Sequence, residues 1–458
     1  MKVRCKHGFD KMRIAPQIPV LQTRKVCFIS LGCARNLVDS EVMMGKLLER
    51  GWSFSDQPQT ADAVVVNTCG FINAAKQESI AKIMEVVGYK QDNPNLRLIV
   101  AGCLSQRYGK KLQTGIPEVD LFVGTDQFHK IAEFLDTPML ATGKLNTQRT
   151  NYIYTSADPK INTLSPYSAY VKVSEGCQHR CAFCVIPVIR GQLRSRTIAD
   201  IGAEAEQLAA QGVSEIILIA QDLAAFGRDR QGSELVPLLR RLVKVQALRW
   251  IRLLYVYPEY INAELLDLLA TEDKIVKYLD IPVQHASDRI LQRMRRAVSR
   301  TDLERIFAQI RERIPSVALR TSVMVGFPSE SEEDFNMLLD FVAAQEFEHL
   351  GCFTYSKEEH TPAGRMQAQV PAKVKMQRYR RLMACQAKIS QAKLQAQVGT
   401  VAEVLVEKQT AKYYLARLAT QAPEVDGIVY VSGQAKLGTI QKVKITAASS
   451  YDLCGEIC

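Results

Sequence analysis

The chain has 458 residues, of which 47% are hydrophobic and 23% are charged; this composition fits two or three globular domains and excludes a disordered or fibrous protein. No apolar run approaches the length of a transmembrane helix, and twelve cysteines without a secretory leader indicate reduced thiols and ligands rather than disulfides, so we expect a cytoplasmic protein with no membrane partner. The formal net charge of +11 predicts an acidic partner such as RNA or a ribonucleoprotein surface.

The N-terminal part of the chain divides into a basic extension and an α/β domain. Residues 1–24 are expected to be disordered, and residues 25–140 alternate short apolar runs with helical stretches, which indicates a parallel sheet covered on both faces. Three of the apolar runs end in a cysteine next to a glycine: Cys33, Cys69 and Cys103. The carboxyl ends of neighbouring parallel strands share one edge, so these cysteines should converge. Three thiolates can hold three irons of a four-iron cluster and leave one iron open; the alternative is three unrelated buried cysteines.

The central part of the chain predicts a partial βα barrel. Residues 141–162 read as a polar linker, and residues 163–393 as the barrel. Six strands, each followed by a helix-length segment, are predicted near residues 170–174, 215–220, 250–255, 278–283, 319–325 and 351–355. Eight such units would close a full barrel, whereas six leave a lateral opening wide enough for a macromolecular substrate.

A loop after the first of these strands carries Cys177, Cys181 and Cys184 at spacing C-x3-C-x2-C. Three thiolates in one short loop again suit a four-iron cluster with one open iron, where chemistry can take place. The alternative is a structural zinc site, which needs a fourth ligand; His179, between two of the cysteines, is poorly placed to supply it.

Residues near this loop and at the strand ends are candidates for cofactor contacts, because the carboxyl face of a βα barrel carries its active site. They are Phe183, Arg194, Arg196, Gln221, Asp222, Gln284 and Gly326. Simpler interpretations stay open: the polar residues could cap helices, the arginines could pair with surface acids, and the glycine could serve only a turn.

Residues 394–458 predict a small OB-like β-barrel after a helix over residues 373–396. Its strands are expected near residues 401–406, 413–418, 427–431 and 440–447. Ten Lys or Arg against two Glu between residues 366 and 420 predict contact with RNA, although a basic run can also be a solvated helix face. Cys454 and Cys458 are too few to predict a metal site.

The cysteine loop, with the aromatic Phe183 before its last cysteine, resembles that of the radical S-adenosylmethionine superfamily. Together with the N-terminal cysteines and the β-rich tail, it makes the chain similar to methylthiotransferases, which combine a cluster-binding domain, a radical barrel and a TRAM domain. Residues 30–41, Ser-Leu-Gly-Cys-Ala-Arg-Asn-Leu-Val-Asp-Ser-Glu, resemble the branch that modifies an aspartate β-carbon on the small-subunit ribosomal protein of the decoding centre. Residues 220–222, 254–259 and 422–427 agree with that branch, whereas Ala34-Arg35 stands where Pro-Lys is usual.

The resemblance implies two 4Fe–4S clusters, one on each cysteine triplet, and S-adenosylmethionine as both methyl donor and radical source. It further implies sulfide or another sulfur species on the N-terminal cluster, an external one-electron donor such as flavodoxin, and no side chain that acts as a nucleophile. The small-subunit ribosomal protein is the expected substrate, with the basic TRAM region on the ribosome or rRNA surface. Two alternatives stay open: methylthiolation of isopentenyladenosine next to the tRNA anticodon, and a non-enzymatic iron–sulfur or RNA-binding protein.

Overall fold

The structure, a computed structural model, describes residues 24–137 and 144–458 and divides into two compact units. The first unit runs to Thr163 and includes Glu175–Gln178 and Val185–Arg194; the second holds Leu164–Ser174, His179–Cys184 and Ser195–Cys458. Nearly all of the predicted basic extension, residues 1–24, lies outside the described residues. No helix in the described ranges is long and apolar enough to cross a bilayer.

The first unit contains a six-stranded parallel sheet in the order β2-β1-β3-β4-β5-β6. Its strands are β1 (Lys25–Ser30), β2 (Ser53–Phe54), β3 (Ala63–Thr68), β4 (Arg97–Gly102), β5 (Leu121–Val123) and β6 (Lys144–Asn146). Its helices are α1 (Ala34–Glu49), α2 (Asn73–Asp92), α3 (Cys103–Gly115) and α4 (Ile131–Asp136). The continuous apolar run of β3 is buried at every position, as expected for a strand covered on both faces. The three strands predicted before the cysteines are therefore confirmed, and the short β2, β5 and β6 were not predicted.

The segment predicted as a polar linker is held against helix α1 over its described residues. The backbone N–H of Thr163 donates to Glu41 Oε1 at 2.8 Å, and Ile161 N donates to the Glu41 carbonyl at 3.1 Å. Lys46 forms an ion pair with Asp158 at 2.6 Å. Residues 155–163 are thus an ordered strap on the first unit, because helix α1 supplies partners for their polar groups.

Between the two sheets in sequence, short elements flank the cysteine loop. From Ser168 the chain forms β7 (Ser168–Lys172), β8 (Ser174–Glu175), α5 (Ile186–Arg190) and β9 (Arg194–Ser195). The chain then continues through α6 (Ile198–Ala210), β10 (Glu215–Ile219), α7 (Leu235–Leu242), β11 (Trp250–Leu253), α8 (Ala263–Thr271), β12 (Ile275–Asp280), α9 (Asp288–Arg293), α10 (Arg300–Arg313), β13 (Ala318–Val325), α11 (Glu332–Gln345), β14 (His349–Thr354), α12 (Pro362–Arg365) and α13 (Ala372–Gln395).

The second unit is built on a six-stranded parallel sheet in the order β14-β13-β12-β11-β10-β7. The sheet does not close on itself, so the prediction of a six-unit partial barrel is confirmed. Alternate residues of each strand pack into one apolar cluster with the helices, as Ile251 and Leu253 do on β11. The residue between them, Arg252, therefore points to the opposite, inner face of the sheet, and it is completely buried there.

A small closed barrel follows helix α13, with strand order β15-β16-β17-β19-β18. Its strands are β15 (Val401–Gln409), β16 (Tyr414–Leu418), β17 (Val429–Ser432), β18 (Ile440–Ala448) and β19 (Leu453–Ile457). The four predicted strands are confirmed, but a count of four is wrong: β19 pairs with both β17 and β18 and closes the barrel. Cys454 lies on β19 and Cys458 follows it, both exposed.

The small barrel is joined to the inner face of the open sheet by buried ion pairs. Glu215 on β10 accepts a hydrogen bond from Arg252 Nε at 2.8 Å and also pairs with Arg417 of β16. Asp426, in the loop between β16 and β17, accepts a 2.7 Å hydrogen bond from the Tyr278 hydroxyl and lies 3.4 Å from Arg320 Nε. Buried carboxylates and guanidiniums are tolerated only when they are paired in this way. The small barrel therefore completes the polar inner surface of the sheet.

Candidate functional site

The three N-terminal cysteines lie at the carboxyl edge of the first sheet. Cys33 caps the start of α1, Cys69 follows β3, and Cys103 is the first residue of α3. Gly32 makes their close approach possible: its φ is +96°, and a side-chain Cβ there would lie 2.9 Å from Cys69 Cβ. The three cysteines therefore lie at the same edge of the first sheet, and their joint binding of one cluster stays a prediction.

The charges of the three thiols are coupled. Burial, together with the neighbouring Cys103 and Cys33, raises the pKa of Cys69 to about 12. Burial also raises the pKa of Cys103, against the opposing effect of Arg190. For Cys33 burial is outweighed by Arg35, Arg190 and backbone N–H donors, so its pKa is lowered. A metal coordinated by these cysteines would favour the ionised form of all three thiols, since a coordinated metal deprotonates its thiols.

A buried arginine, Arg190 at the end of α5, contacts this group. Its Nη2 donates to Cys103 Sγ at 3.3 Å and to Asn36 Oδ1 at 3.2 Å, and its Nη1 donates to Asp39 at 2.6 Å and to Glu175 at 3.1 Å. Only 2% of the Arg190 residue surface is exposed. Burial alone would lower the pKa of Arg190, but Asp39, Cys103 and Glu175 raise it, so the guanidinium carries a fixed charge beside the thiols.

Residues 36–41, Asn-Leu-Val-Asp-Ser-Glu, supply most of the polar support around the N-terminal cysteines. Asn36 and Asp39 hold Arg190, as described above. Ser40 Oγ accepts a 2.8 Å hydrogen bond from Asn67 Nδ2, next to the end of β3, and Glu41 holds the strap at Thr163. The motif therefore connects helix α1 to Arg190, to the end of β3 and to the strap at residues 155–163.

The donor set fits an iron–sulfur cluster better than a single ion. In residues 24–137 and 144–458, no three His, Cys, Asp or Glu side chains are placed to share one metal ion. A tetrahedral zinc site requires its ligands within about 2.3 Å of one centre, whereas a four-iron cluster distributes three thiolates over three irons and spaces them more widely. For the cysteine loop, a zinc site would need a fourth ligand, whereas three thiolates suit a four-iron cluster with one open iron; its cluster stays a prediction.

The cysteine loop contributes to both units. In the first unit, the backbone N–H of Cys177 donates to the Gly191 carbonyl at 3.1 Å. In the second unit, Ala182 exchanges backbone hydrogen bonds with Met294 and Ala363, each 2.9 Å long. Phe183 packs against an apolar cluster that includes Phe327 and Tyr355. The loop that carries Cys181 and Cys184 is thus held by backbone hydrogen bonds at Cys177 and at Ala182.

His179 and Asp222 form one contact within the second unit. His179 Nε2 lies 2.7 Å from Asp222 Oδ2, and the imidazole stacks on Tyr257 with centroids 3.9 Å apart. Asp222 also accepts a hydrogen bond from the backbone N–H of Ala224 at 3.0 Å, which is the capping role left open by the sequence. Gln221 beside it is half-buried. A cofactor contact for Gln221 and Asp222 stays a prediction.

The two predicted arginines differ in their surroundings. Arg196 is buried, and its guanidinium binds Asp200, Glu204 and the Lys172 carbonyl at 2.7, 2.5 and 3.0 Å. This geometry favours a structural role and argues against a cofactor contact. Arg194 lies 3.5 Å from Asp126, and its buried Nε has no hydrogen-bond partner among the described residues, so its cofactor contact stays a prediction.

Gln284 and Gly326 lie at strand ends of the second unit and both have positive φ, +72° and +74°. The backbone of Gln284 is fixed by Ser322 and Met324, at 2.9 and 2.7 Å. Close approach at Gly326 was predicted for the cofactor, but the structure places the Lys375 side chain there: a Cβ on Gly326 would lie 2.2 Å from Lys375 Cγ. The side chain of Lys375, from helix α13, therefore lies beside this turn, and a cofactor contact at Gly326 stays a prediction.

The basic run in the C-terminal part is only half available to a partner. Five of its ten cations bind groups of the chain itself: Lys375, Arg378, Arg381, Lys393 and Arg417. The other five are exposed: Lys373, Arg380, Lys388, Lys408 and Lys412. Five cations of this run are therefore used within the protein, and the other five are available to a partner or to solvent.

Sequence reasoning missed Arg190, Glu175 and Arg296. Arg190 follows the apolar Ile186-Pro-Val-Ile run and has no acidic neighbour in sequence, which is a weak signal for a buried charge. Arg296 lies in a Met-Arg-Arg-Ala run that reads as helix surface, yet only 8% of it is exposed.

Comparison with known proteins matches all three parts of the chain. Residues 25–124 match the Uncharacterized protein family UPF0004, residues 171–342 the Radical SAM superfamily, and residues 398–458 the TRAM domain. Among solved structures, the radical S-adenosylmethionine methyltransferase TsrM from Kitasatospora setae aligns with a TM-score of 0.55 at 17% identity, covering 75% of this chain and 77% of TsrM. The cobalamin-dependent radical enzyme OxsB aligns with a TM-score of 0.52 at 10% identity, covering 79% of this chain and 56% of OxsB. These structural likenesses concern the fold. The open parallel sheet, the cysteine loop and the superfamily match together define a radical S-adenosylmethionine enzyme.

Full-length relatives narrow this class. Proteins named ribosomal protein uS12 methylthiotransferase RimO are 45% identical in Syntrophotalea carbinolica, covering 95% of this chain and 97% of the relative. The relative in Geobacter sulfurreducens is 44% identical over 94% of this chain and 98% of its own length. The relative in Bdellovibrio bacteriovorus is 44% identical over 95% of this chain and 98% of its own length. The chain belongs to the RimO family of methylthiotransferases.

Proposed function

We propose that this enzyme transfers a methylthio group to the β-carbon of an aspartate in ribosomal protein uS12. The observation that carries the proposal is the full-length similarity to RimO proteins, with 43–46% identity over 94–95% of the chain. It is supported by residues 36–41, whose Asn36 and Asp39 bind the arginine that contacts Cys103. The reaction would take place in the cytoplasm, where uS12 joins the small ribosomal subunit.

We further propose that each cysteine triplet holds a 4Fe–4S cluster: Cys33, Cys69 and Cys103 one, and Cys177, Cys181 and Cys184 the other. When bound, the clusters would supply the electron that cleaves S-adenosylmethionine and an iron that holds the sulfur to be transferred. An external one-electron donor such as a flavodoxin would re-reduce them.

The protein's own residues position these groups and exclude water. Arg190 holds Cys103 and, with Arg35, favours the ionised Cys33 thiol. The backbone contacts of Ala182 keep Cys181 and Cys184 in a fixed loop. Among the described residues no side chain needs to act as a nucleophile, since the reaction depends on proximity and orientation around the cofactors.

Single-cysteine variants test the assignment of the two triplets. Cys103→Ala and Cys181→Ala should each lose about half of the iron that the anaerobically reconstituted parent binds. Cys181→Ala should also lose reductive cleavage of S-adenosylmethionine, whereas Cys103→Ala should retain cleavage and lose methylthio transfer. Cys352→Ala, a change at a buried cysteine outside both triplets, is the matched control and should retain both activities. Full cleavage activity in Cys181→Ala would remove the radical assignment.

The substrate is tested by mass spectrometry in a strain that lacks the gene. We expect loss of the methylthio group from uS12 and unchanged methylthioadenosine in tRNA. The intact gene should restore the uS12 modification to the parental level, and the Cys181→Ala gene should not. Loss of the tRNA modification alone would favour the tRNA enzyme instead. The five exposed cations of the C-terminal region are the proposed contact with the ribosome, in keeping with the TRAM match.

A further inference from the structure

One thiol of the radical loop has a buried cation beside it. Arg296 Nη1 lies 3.9 Å from Cys181 Sγ, and Arg296 Nη2 donates to the Pro282 carbonyl at 2.6 Å. Arg296 has only 8% of its surface exposed. The carbonyl bond and the burial fix the guanidinium, so its charge stays next to the thiol.

The ring of Tyr257 fills the space between this cation and the loop. The Arg296 guanidinium lies over the Tyr257 ring at 3.9 Å from its centroid, and His179 stacks on the same ring with a 10° interplanar angle. The Tyr257 hydroxyl is hydrogen-bonded to Cys181. Two donors of different strength thus converge on Cys181 Sγ.

Donors of this kind act on the redox balance of a cluster. Reduction adds a negative charge to the cluster and its thiolates, and a nearby cation or hydrogen bond stabilises that charge more in the reduced than in the oxidised state. The effect is strong in a buried site, where the effective dielectric constant is low. We propose that Arg296, assisted by Tyr257, is a positioning residue that raises the reduction potential of the cluster bound through Cys181.

This inference rests on the proposed ligand role of Cys181 and goes beyond it. Neither Arg296 nor Tyr257 needs to touch substrate, and neither was among the residues predicted to contact the cofactor. The arrangement provides a means to bring the cluster within reach of a weak biological electron donor before S-adenosylmethionine cleavage.

The test uses the full chain with Cys33, Cys69 and Cys103 changed to Ala, so that only the radical-loop cluster remains. After anaerobic reconstitution, the reduced cluster is followed by electron paramagnetic resonance during a redox titration. Arg296→Gln should decrease the ratio of reduced to oxidised cluster at a fixed potential at least tenfold, a shift of about 59 mV to more negative values for a one-electron couple. Tyr257→Phe should shift it in the same direction by less, and Arg296→Lys, which keeps the charge, should lie between Arg296→Gln and the parent.

Arg228→Gln is the matched control, since Arg228 lies 3.8 Å over the centroid of the neighbouring Tyr260 ring and is exposed. It should leave the potential unchanged. An Arg296→Gln protein with full iron content and the parental potential would overturn the inference. If Arg296→Gln binds no iron, Tyr257→Phe decides: a parental potential there, with full iron, also overturns it. A parent that binds no cluster at all would instead refute the proposed ligand role of the loop.

Discussion

Glu215→Gln should strongly destabilise the second unit. Glu215 is completely buried, pairs with Arg252 and Arg417, and accepts a hydrogen bond from Ser168 at 3.0 Å. Glutamine keeps the shape of the side chain but removes its charge. The substitution leaves Arg252 buried on the inner face of the sheet without an anionic partner among the described residues.

The loss of folding free energy in Glu215→Gln follows from the pKa of Glu215 and, independently, from the usual cost of breaking a buried ion pair. Burial alone would raise the pKa of Glu215, but Arg417 and Arg252 outweigh it and lower the pKa from 4.5 to about 2. That difference corresponds to roughly 3 kcal/mol of folding free energy. Removal of one partner from a buried ion pair costs about 3–5 kcal/mol in other proteins. We therefore expect the free energy of unfolding to fall by roughly 3–5 kcal/mol at pH 7.

The assay follows urea unfolding by the fluorescence of Trp250, which lies opposite Glu215 in the pairing of β10 with β11. The chain has two tryptophans, so the experiment is done in a Trp52→Phe background. Glu264→Gln is the matched control: its side chain is 62% exposed and lies 3.5 Å from Arg240, and such exposed pairs contribute about 0–1 kcal/mol. A Glu215→Gln effect no larger than that of the control would refute the reasoning.

The same pair predicts a pH dependence. Because the folded pKa of Glu215 lies below its unfolded value, its contribution is complete above pH 4.5 and is lost as the pH falls towards 2. The difference in unfolding free energy between parent and Glu215→Gln should therefore shrink over this window. A difference that stays constant from about pH 6 to about pH 3, roughly one and a half units on either side of 4.5, would contradict the assignment.

Three further predictions concern other contacts. Arg190→Met should reduce the iron bound by the reconstituted enzyme towards that of one cluster, because it removes the cation beside Cys103; full iron content would contradict this. Gly326→Ala should lower the unfolding free energy by about 1–3 kcal/mol through its positive φ, and Lys375→Ala added to it should relieve only the steric part, as measured by urea unfolding. Asp426→Asn should weaken the contact with the Tyr278 hydroxyl. The small barrel should then be digested faster in limited proteolysis, with unchanged iron content. An unchanged rate of proteolysis would contradict a role of this contact in anchoring the barrel.

Much of the fold follows from the local sequence because buried strands have continuous apolar runs. The six strands of the open sheet were predicted for this reason. Strand β19 was missed because Leu453-Cys-Gly-Glu-Ile contains a glycine and only two large apolar residues, and its pairing with two distant strands decides its conformation.

The cysteines proposed as ligands could be chosen from their spacing, whereas the charges around them could not be predicted from the sequence. Arg190 and Arg296 are surrounded in sequence by residues that do not reveal burial, and only the tertiary packing brings them to Cys103 and Cys181. At Gly326 the sequence indicated a turn, but it could not show that Lys375 of a distant helix lies beside that turn. Spacing suggests candidate ligands, but long-range packing determines their electrostatic surroundings.

The shared ion pairs between the open sheet and the small barrel limit how this enzyme can be recombined with its relatives. Consider a chimera in which the C-terminal small barrel comes from another protein. Glu215 and Arg320 of the recipient would then face foreign residues in place of Arg417 and Asp426. Productive grafts should therefore transfer both residues of each pair, because a graft that replaces only one of them leaves a buried charge without its partner.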